Sequence, residues 1–340
     1  MLNTKEEKEL EIEAFAVKNT EESQRKNSSS GGVFISLANQ VIEEGGVVCG
    51  AKFDKDFHLI HDFAQTKEEL NPLMGSKYLQ SDMKDCYKKV KNYLLQERLV
   101  LFVGTPCQVM GLKLYLRKEY NNLLAIEVVC HGVPSPLVWE KYLEEVCKRK
   151  KISLNEIENI SFRNKDKSWR VFNLKIEGKD KTILKESLHD NLYMRGFLQN
   201  LFLRQSCHNC PAKNFNSMAD LSLADYWGID RFHPEIDDNK GVSAMILYNK
   251  KIKLDFKKLL LDFKKLKLDF KNTTLRNILE TNTALVKSAK PHPRREEFFD
   301  TMQEKGLLNL KQYVGEPTLK KIKRKTRWFL SDVKALIIKK

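Results

Sequence analysis

Two stretches of this chain carry an apolar strand directly into a cysteine, and they limit the fold more than any other feature. RLVLFVGTPCQVMGLKLYLRK predicts a strand over Leu99 to Val103, a loop Gly104-Thr105-Pro106-Cys107, and a helix from Gln108 to Arg117. Leu123 to Val129 is then apolar apart from Glu127 and runs into Cys130-His131-Gly132-Val133-Pro134, followed by a helix from Pro136 to Lys148. Strands separated by a helix are the pattern of crossover units in a largely parallel sheet. The expected class is α/β, with a central, largely parallel sheet flanked by helices. In such a sheet, parallel strand ends converge on one edge, so Cys107 and Cys130 become neighbours.

The flanking segments extend this plan. Ser28, Ser29, Ser30, Gly31 and Gly32 precede a helical pattern at Val33, Ile35, Leu37, Val41 and Ile42, which Gly45-Gly46 ends; VVCGAKF then reads as a core strand. From Ile152 the texture alternates, in SWRVFNLKIEG and KTILKES, and predicts an inserted or appended α+β portion with antiparallel ribbon. The spacing divides the chain into a polar extension over 1–27, an α/β core over 28–249, a helical region over 250–319 and a basic tail over 320–340. Within the extension, Phe15 to Val17 reads as an edge strand. The near-repeat LDFKKLL, LDFKKLK, LDFK within 251–271 has a seven-residue period and predicts an amphipathic helix.

No run of 18 apolar residues occurs, and the first 24 residues carry seven acidic against three basic groups. Neither a membrane span nor a secretory leader is expected, which makes a cytoplasmic protein the default. The net charge is +15, and residues 320–340 supply +8 of it. Such a tail suits peripheral contact with anionic membrane or docking of an acidic protein. Nucleic-acid binding is not expected, since no reader module or aromatic-basic platform accompanies the lysines.

Seven cysteines without a secretion signal argue against a disulfide framework. Cys207-His208-Asn209-Cys210-Pro211 is a CxxC turn whose two sulfurs can face one ion or two corners of one cluster. With Cys107 and Cys130 it makes a four-thiolate set, which by count suits zinc or a [4Fe-4S] cluster equally. Cys49, Cys86 and Cys147 read as buried structural thiols, and His131 and His208 as loop-supporting side chains. No acid–base residue stands out as catalytic.

The ordered motifs SSSGGVF, GTPCQVMGL, VCHGVPSP, FRNKDKSW, LFLRQSCHNCPAK and DLSLADYWGI resemble the coenzyme F420 hydrogenase/dehydrogenase beta subunit family of FAD and iron-sulfur oxidoreductases, from about Phe15 to Asn249. The resemblance implies FAD near a [4Fe-4S] cluster, passing electrons between a donor and a two-electron small-molecule substrate. It implies Cys107, Cys130, Cys207 and Cys210 as cluster ligands, and Ser29, Ser30, Gly31 and Gly32 as the flavin loop. Lys77 adds a cation near flavin or substrate, and Asp225, Trp227 and Gly228 lie where a strand meets a loop that can wall the isoalloxazine. Arg163, Lys167 and Arg204 add positive charge around these motifs.

Unlike many relatives, the sequence has no cysteine before Cys49 and so lacks the N-terminal ferredoxin-like run. An external donor is therefore expected, such as an acidic ferredoxin. Bacterial relatives accompany surface-polysaccharide synthesis, which makes that metabolism an expected setting, without presuming use of the deazaflavin itself. The alternative from a different class is a zinc-stabilised binding or scaffold protein of a polysaccharide or membrane assembly.

Overall fold

The structure is a computed structural model that describes residues 11–248, 256, 260, 262–307 and 310–315. The chain opens with β1 (Ile12–Asn19), α1 (Glu22–Asn27) and α2 (Val33–Glu43), then the hairpin β2 (Val47–Phe53) and β3 (Leu59–Ala64). Next come α3 (Cys86–Leu95), β4 (Val100–Gly104), α4 (Pro106–Leu116), β5 (Leu123–Val128) and α5 (Pro136–Lys150). A ribbon of β6 (Asn159–Asn164), β7 (Asn173–Glu177) and β8 (Thr182–Ser187) leads to α6 (Leu192–Leu198). The chain then returns through β9 (Leu221–Asp225), α7 (Ile229–Phe232) and β10 (Ser243–Tyr248). It continues with β11 (Leu268–Thr273), α8 (Leu275–Thr281), α9 (Arg295–Lys305) and α10 (Leu310–Val314).

Eight strands form the central sheet in the order β11-β1-β10-β9-β5-β4-β2-β3. Its middle is parallel, because β2 pairs with β4, β4 with β5 and β5 with β9 in the same direction. Antiparallel strands close both sides: β3 on β2 at one edge, and β10, β1 and β11 at the other. The α/β expectation holds, with the parallel part at the centre. Period-two alternation sets the two faces. Leu101 and Val103 meet α2 residues Val33, Leu37 and Val41 on one face, whereas Val100 and Phe102 meet Val90, Val109 and Leu112 on the other.

The segment between β5 and β9 carries the appended α+β portion. Its ribbon β6-β7-β8 is antiparallel, and Leu174, Ile176, Phe162 and Leu184 pack with Trp139, Tyr193 and Phe298 into a second core. Because β9 comes back beside β5, the insertion leaves the parallel order intact.

Two expectations change. β1 is not an edge strand: it pairs with both β10 and β11, and its Ala16 and Val17 are fully buried, so the sheet takes in the chain from Ile12 onward. The LDFK repeat is not helical throughout. Phe256 and Leu260 are helical and buried, but the last copy forms β11, where Phe270 stacks on Phe263 with ring centroids 4.0 Å apart. Pairing with β1 satisfies the backbone there, and this outweighs the seven-residue period. The tail over 320–340 lies outside the described residues.

Candidate functional site

Three loops leave the C-terminal ends of adjacent parallel strands β4, β5 and β9 on one sheet edge, where α/β sheets place ligands. The first carries Thr105 and Cys107, the second Cys130 to Pro134, and the third Asp225 to Gly228. Thr105 caps α4: its side chain accepts from the Gln108 backbone, while Gln108 Oε1 accepts the Thr105 N–H at 2.9 Å. Pro106 fits the first helical turn, so Cys107 is presented, exposed, at the helix start.

Cys207 and Cys210 arrive from a 3-10 turn over Gln205–Asn209, next to the Cys130 loop. The Val133 N–H points at Cys207 Sγ at 3.4 Å. At Gly132, φ is +146° and an added Cβ would lie 2.7 Å from Leu203 Cδ1, so only glycine lets the loop pass this close to the Cys207 turn. Burial pushes the Cys130 thiol up to about 12, with Lys213 opposing and Cys107 and Cys207 adding to the rise. The Lys213 ammonium donates to the Cys130 and Ala284 carbonyls, which ties the loop down. Burial likewise raises Cys207, and the charges of Cys107 and Cys210 reach it.

The four thiols are therefore neighbours whose charges reach one another. Desolvated thiols, a backbone N–H aimed at a sulfur and a tightly packed glycine loop fit an iron-sulfur cluster.

The second grouping centres on Arg163 of β6, whose side chain is only 4% exposed. It donates to both oxygens of Asp225 at 2.7 and 3.1 Å, to the Tyr78 hydroxyl at 3.1 Å and to the Ser29 carbonyl at 3.0 Å. Its guanidinium also lies over Phe172, 4.1 Å from the ring centroid. Burial works against its charge, but Asp225 and Tyr78 more than compensate, so its pKa rises. One residue thus joins the Ser-Gly loop, the Lys77–Tyr78 segment and the end of β9.

The Ser29 to Gly32 loop is held from several sides. Ser29 Oγ accepts the Ser76 N–H at 2.6 Å, and the Lys165 ammonium donates to the Ser30 carbonyl at 3.0 Å. A Cβ at Gly31 would lie 2.3 Å from the Val17 carbonyl and 2.7 Å from Ser243 N, so this glycine serves the contact with β1 and β10. Lys77 donates to the carbonyls of Ala51, Pro72 and Met74 at 2.8–2.9 Å, and burial pulls its pKa down to about 7. Trp227 stacks on Trp169 at 5.0 Å, and Gly228 turns the chain at φ +78° into α7. Arg163 Nε and the Trp169 indole N–H are buried without a protein partner. Lys77 and Lys165 each spend their donors on three carbonyls, so the two unpaired donors, Arg163 Nε and the Trp169 indole N–H, are what fits an anionic, ring-bearing group such as FAD.

Packed rings connect the two groupings. Tyr78 stacks on Phe197 at 4.6 Å, and Phe197 meets the His131 ring edge-on at 5.3 Å. His131 is fixed by Asn200 at 2.5 Å, in the supporting role its position suggested. Lys167 is exposed, and Arg204 gives its charge to the Cys207 turn.

The family model for the C-terminal part of the coenzyme F420 hydrogenase/dehydrogenase beta subunit matches residues 97–268. The chain belongs to this family. Membership places it among oxidoreductase, electron-transferring subunits. In fold it is similar to a chain from the structure titled "Xenon derivatization of the F420-reducing [NiFe] hydrogenase complex from Methanosarcina barkeri". The two share 15% identity and a TM-score of 0.53 over 86% of this chain and 91% of that one. No curated protein matches significantly. Among the described residues, no helix of this beta-subunit relative is long and apolar enough to cross a membrane.

Several site residues gave no signal in the sequence. His61, buried on β3, bonds to Ser81 Oγ at 2.8 Å and to the Val103 carbonyl at 3.1 Å. Gln108 Nε2 donates to Ser81 Oγ at 2.8 Å, Thr105 Oγ1 lies 3.0 Å from Gln108 Oε1, and Cys107 Sγ is 3.3 Å from Thr105 Oγ1. A hydrogen-bond chain therefore runs from a candidate ligand to a buried imidazole. Tyr78, Lys165 and Lys213 also went unsignalled, because each acts through contacts distant in sequence.

Proposed function

We propose that this chain is an FAD-dependent [4Fe-4S] oxidoreductase that takes electrons from a protein or diffusible donor and passes them to a two-electron substrate. The observation that carries this reading is the proximity of Cys107, Cys130, Cys207 and Cys210, thiols from three loops whose charges reach one another at one sheet edge. When bound, the cluster supplies one-electron steps and the flavin gathers them into pairs.

The chain's own residues would do the rest. Arg163, Lys165 and Lys77 set a cationic enclave beside the Ser29 to Gly32 loop, which suits the flavin diphosphate. Asp225 holds the Arg163 fork in plane, and the Trp169–Trp227 stack gives the enclave an aromatic wall. Tyr78, Phe197 and His131 fill the space towards the cysteines and exclude water from it. Val133 N–H and the Lys213 grip on Cys130 fix the orientation of the sulfurs.

The test is anaerobic purification and reconstitution of the full chain, with iron, acid-labile sulfide, zinc and flavin measured per chain. About four iron and four sulfide and one FAD are expected. A chain that holds zinc, or that takes up neither iron nor flavin, would overturn the reading.

A further inference from the structure

Helix α4 is apolar on both sides. Val109, Leu112 and Leu116 face the core. Starting at the exposed Cys107, helical spacing sets Met110, Gly111, Leu114 and Tyr115 along the outward face. Leu114 is 59% exposed and Tyr115 43%. An apolar helix face is normally buried, and this one leaves Cys107, Leu114 and Tyr115 exposed.

The patch is braced from below and ringed by cations. An added Cβ at Gly111 would lie 2.8 Å from the Tyr87 hydroxyl, so the glycine lets Tyr87 of α3 lie against the helix, with its ring 6.0 Å from that of Tyr115. Lys91 Nζ sits 6.0 Å from the Tyr115 ring centroid, Lys88 is exposed on the same helix, and Arg117 and Lys118 close the far end of α4. The neighbouring acids are engaged: Asp85 by Lys89 at 3.2 Å and Glu119 by Lys113 at 3.4 Å.

We propose that the outward face of α4, from Cys107 to Tyr115, is the docking surface for an acidic one-electron carrier protein. This rests on the reading that Cys107 holds an electron-carrying cluster. An apolar centre with a lysine and arginine rim complements a carrier whose redox centre is ringed by carboxylates. A second copy of this chain fits poorly, because apposed patches would bring Lys88, Lys91, Arg117 and Lys118 against one another. Docking here places the carrier next to Cys107, the most exposed of the four candidate ligands.

The experiment uses the anaerobically reconstituted full chain and an acidic [2Fe-2S] ferredoxin as probe, with calorimetric titration, light scattering and iron content read on the same samples. Leu114→Asp and, separately, Tyr115→Ala should weaken ferredoxin binding about tenfold while thermal midpoint and iron content stay unchanged. Lys91→Glu with Lys118→Glu should weaken binding and flatten its decline between about 0.05 and 0.5 M salt. Absence of binding by the wild-type chain, equal binding by both apolar variants, or a dimer that Leu114→Asp dissociates would each overturn the surface. An iron-free chain that still binds ferredoxin through Leu114 would instead overturn the oxidoreductase reading and leave the surface standing.

Discussion

At the cysteine corner, thiols near enough for their charges to interact make few hydrogen bonds, while at the Ser-Gly loop the polar atoms are taken by neighbouring chain. Cys107 contacts Thr105 Oγ1, and Cys207 receives one N–H from Val133. By contrast the Ser29 and Ser30 carbonyls are gripped by Arg163 and Lys165, Ser30 Oγ donates to the Val242 carbonyl at 2.9 Å, and the Gly31 N–H donates to Ser243 Oγ at 3.0 Å. The first region is a set of neighbouring thiols with few hydrogen bonds. The second is a packed joint clasped by cations. Losing a residue should therefore remove a cofactor in one region and stability in the other.

The sharpest way to break this contrast is to remove sulfurs. Cys130→Ser and Cys207→Ser should take iron from about four per chain to near zero, with circular dichroism unchanged, because serine oxygen is harder and far less acidic than a thiol. Cys49→Ser and Cys86→Ser should keep their iron, since these two buried sulfurs lie 3.1 Å from each other in a separate apolar cluster. Full iron in the Cys130 variant would end the four-ligand assignment.

The counterpart at the loop is Arg163→Ala. It strips Asp225 of a partner in a pair whose side chains are 4% and 16% exposed. Breaking such a pair costs about 3–5 kcal/mol, read as a lower urea midpoint, and iron per folded chain should hold. A variant that loses iron but not stability would invert the comparison.

What could be read beforehand follows the same division. The strands ending at Cys107 and Cys130 were legible because apolar runs and strand-end cysteines are local patterns. The CxxC at Cys207 carried its own spacing. Arg163 was visible only as positive charge, because its partners Ser29, Tyr78 and Asp225 lie 134, 85 and 62 residues away. The β11 segment reads as helix in the sequence because pairing with β1 is a long-range term that no seven-residue window contains. His61 was invisible for the same reason: its neighbours Ser81 and Val103 come from separate segments.

His61 lies at the margin of the cysteine corner and sharpens the comparison through pH. Burial pulls its pKa from 6.5 to about 4. Below about pH 6.5 the unfolded chain takes up a proton that the folded chain refuses, so stability falls as pH drops from 6.5 through 4 and levels off beneath. The contribution at stake is about 3 kcal/mol. Asp220, pushed up to about 6 chiefly by burial, has the opposite sign: what it contributes is present at low pH and lost as pH rises through 6. Urea melts from pH 4 to 8 for wild type and His61→Gln separate the two, since their difference isolates His61. Parallel curves would show that the imidazole is not buried neutral.

The smallest expected effect concerns Thr105, which serves both as helix cap and as the nearest hydroxyl to a candidate ligand. Its Oγ1 lies 3.0 Å from Gln108 Oε1 and 3.3 Å from Cys107 Sγ, so when the sulfur is a thiolate the hydroxyl proton has an acceptor on either side. A donated hydrogen bond withdraws electron density from sulfur and favours the reduced cluster. Thr105→Val removes that bond, and the midpoint potential should fall by on the order of 20–60 mV, the one-electron equivalent of a typical hydrogen bond. The same change removes the cap from α4 and should cost about 1 kcal/mol. Thr105→Ser keeps both functions and should restore both values. A redox titration followed by electron paramagnetic resonance reads the potential, and a urea melt reads the cap. If the valine variant lost stability while its potential matched wild type, the hydroxyl would belong to the helix alone, and the hydrogen-bond chain to His61 would stop at Gln108.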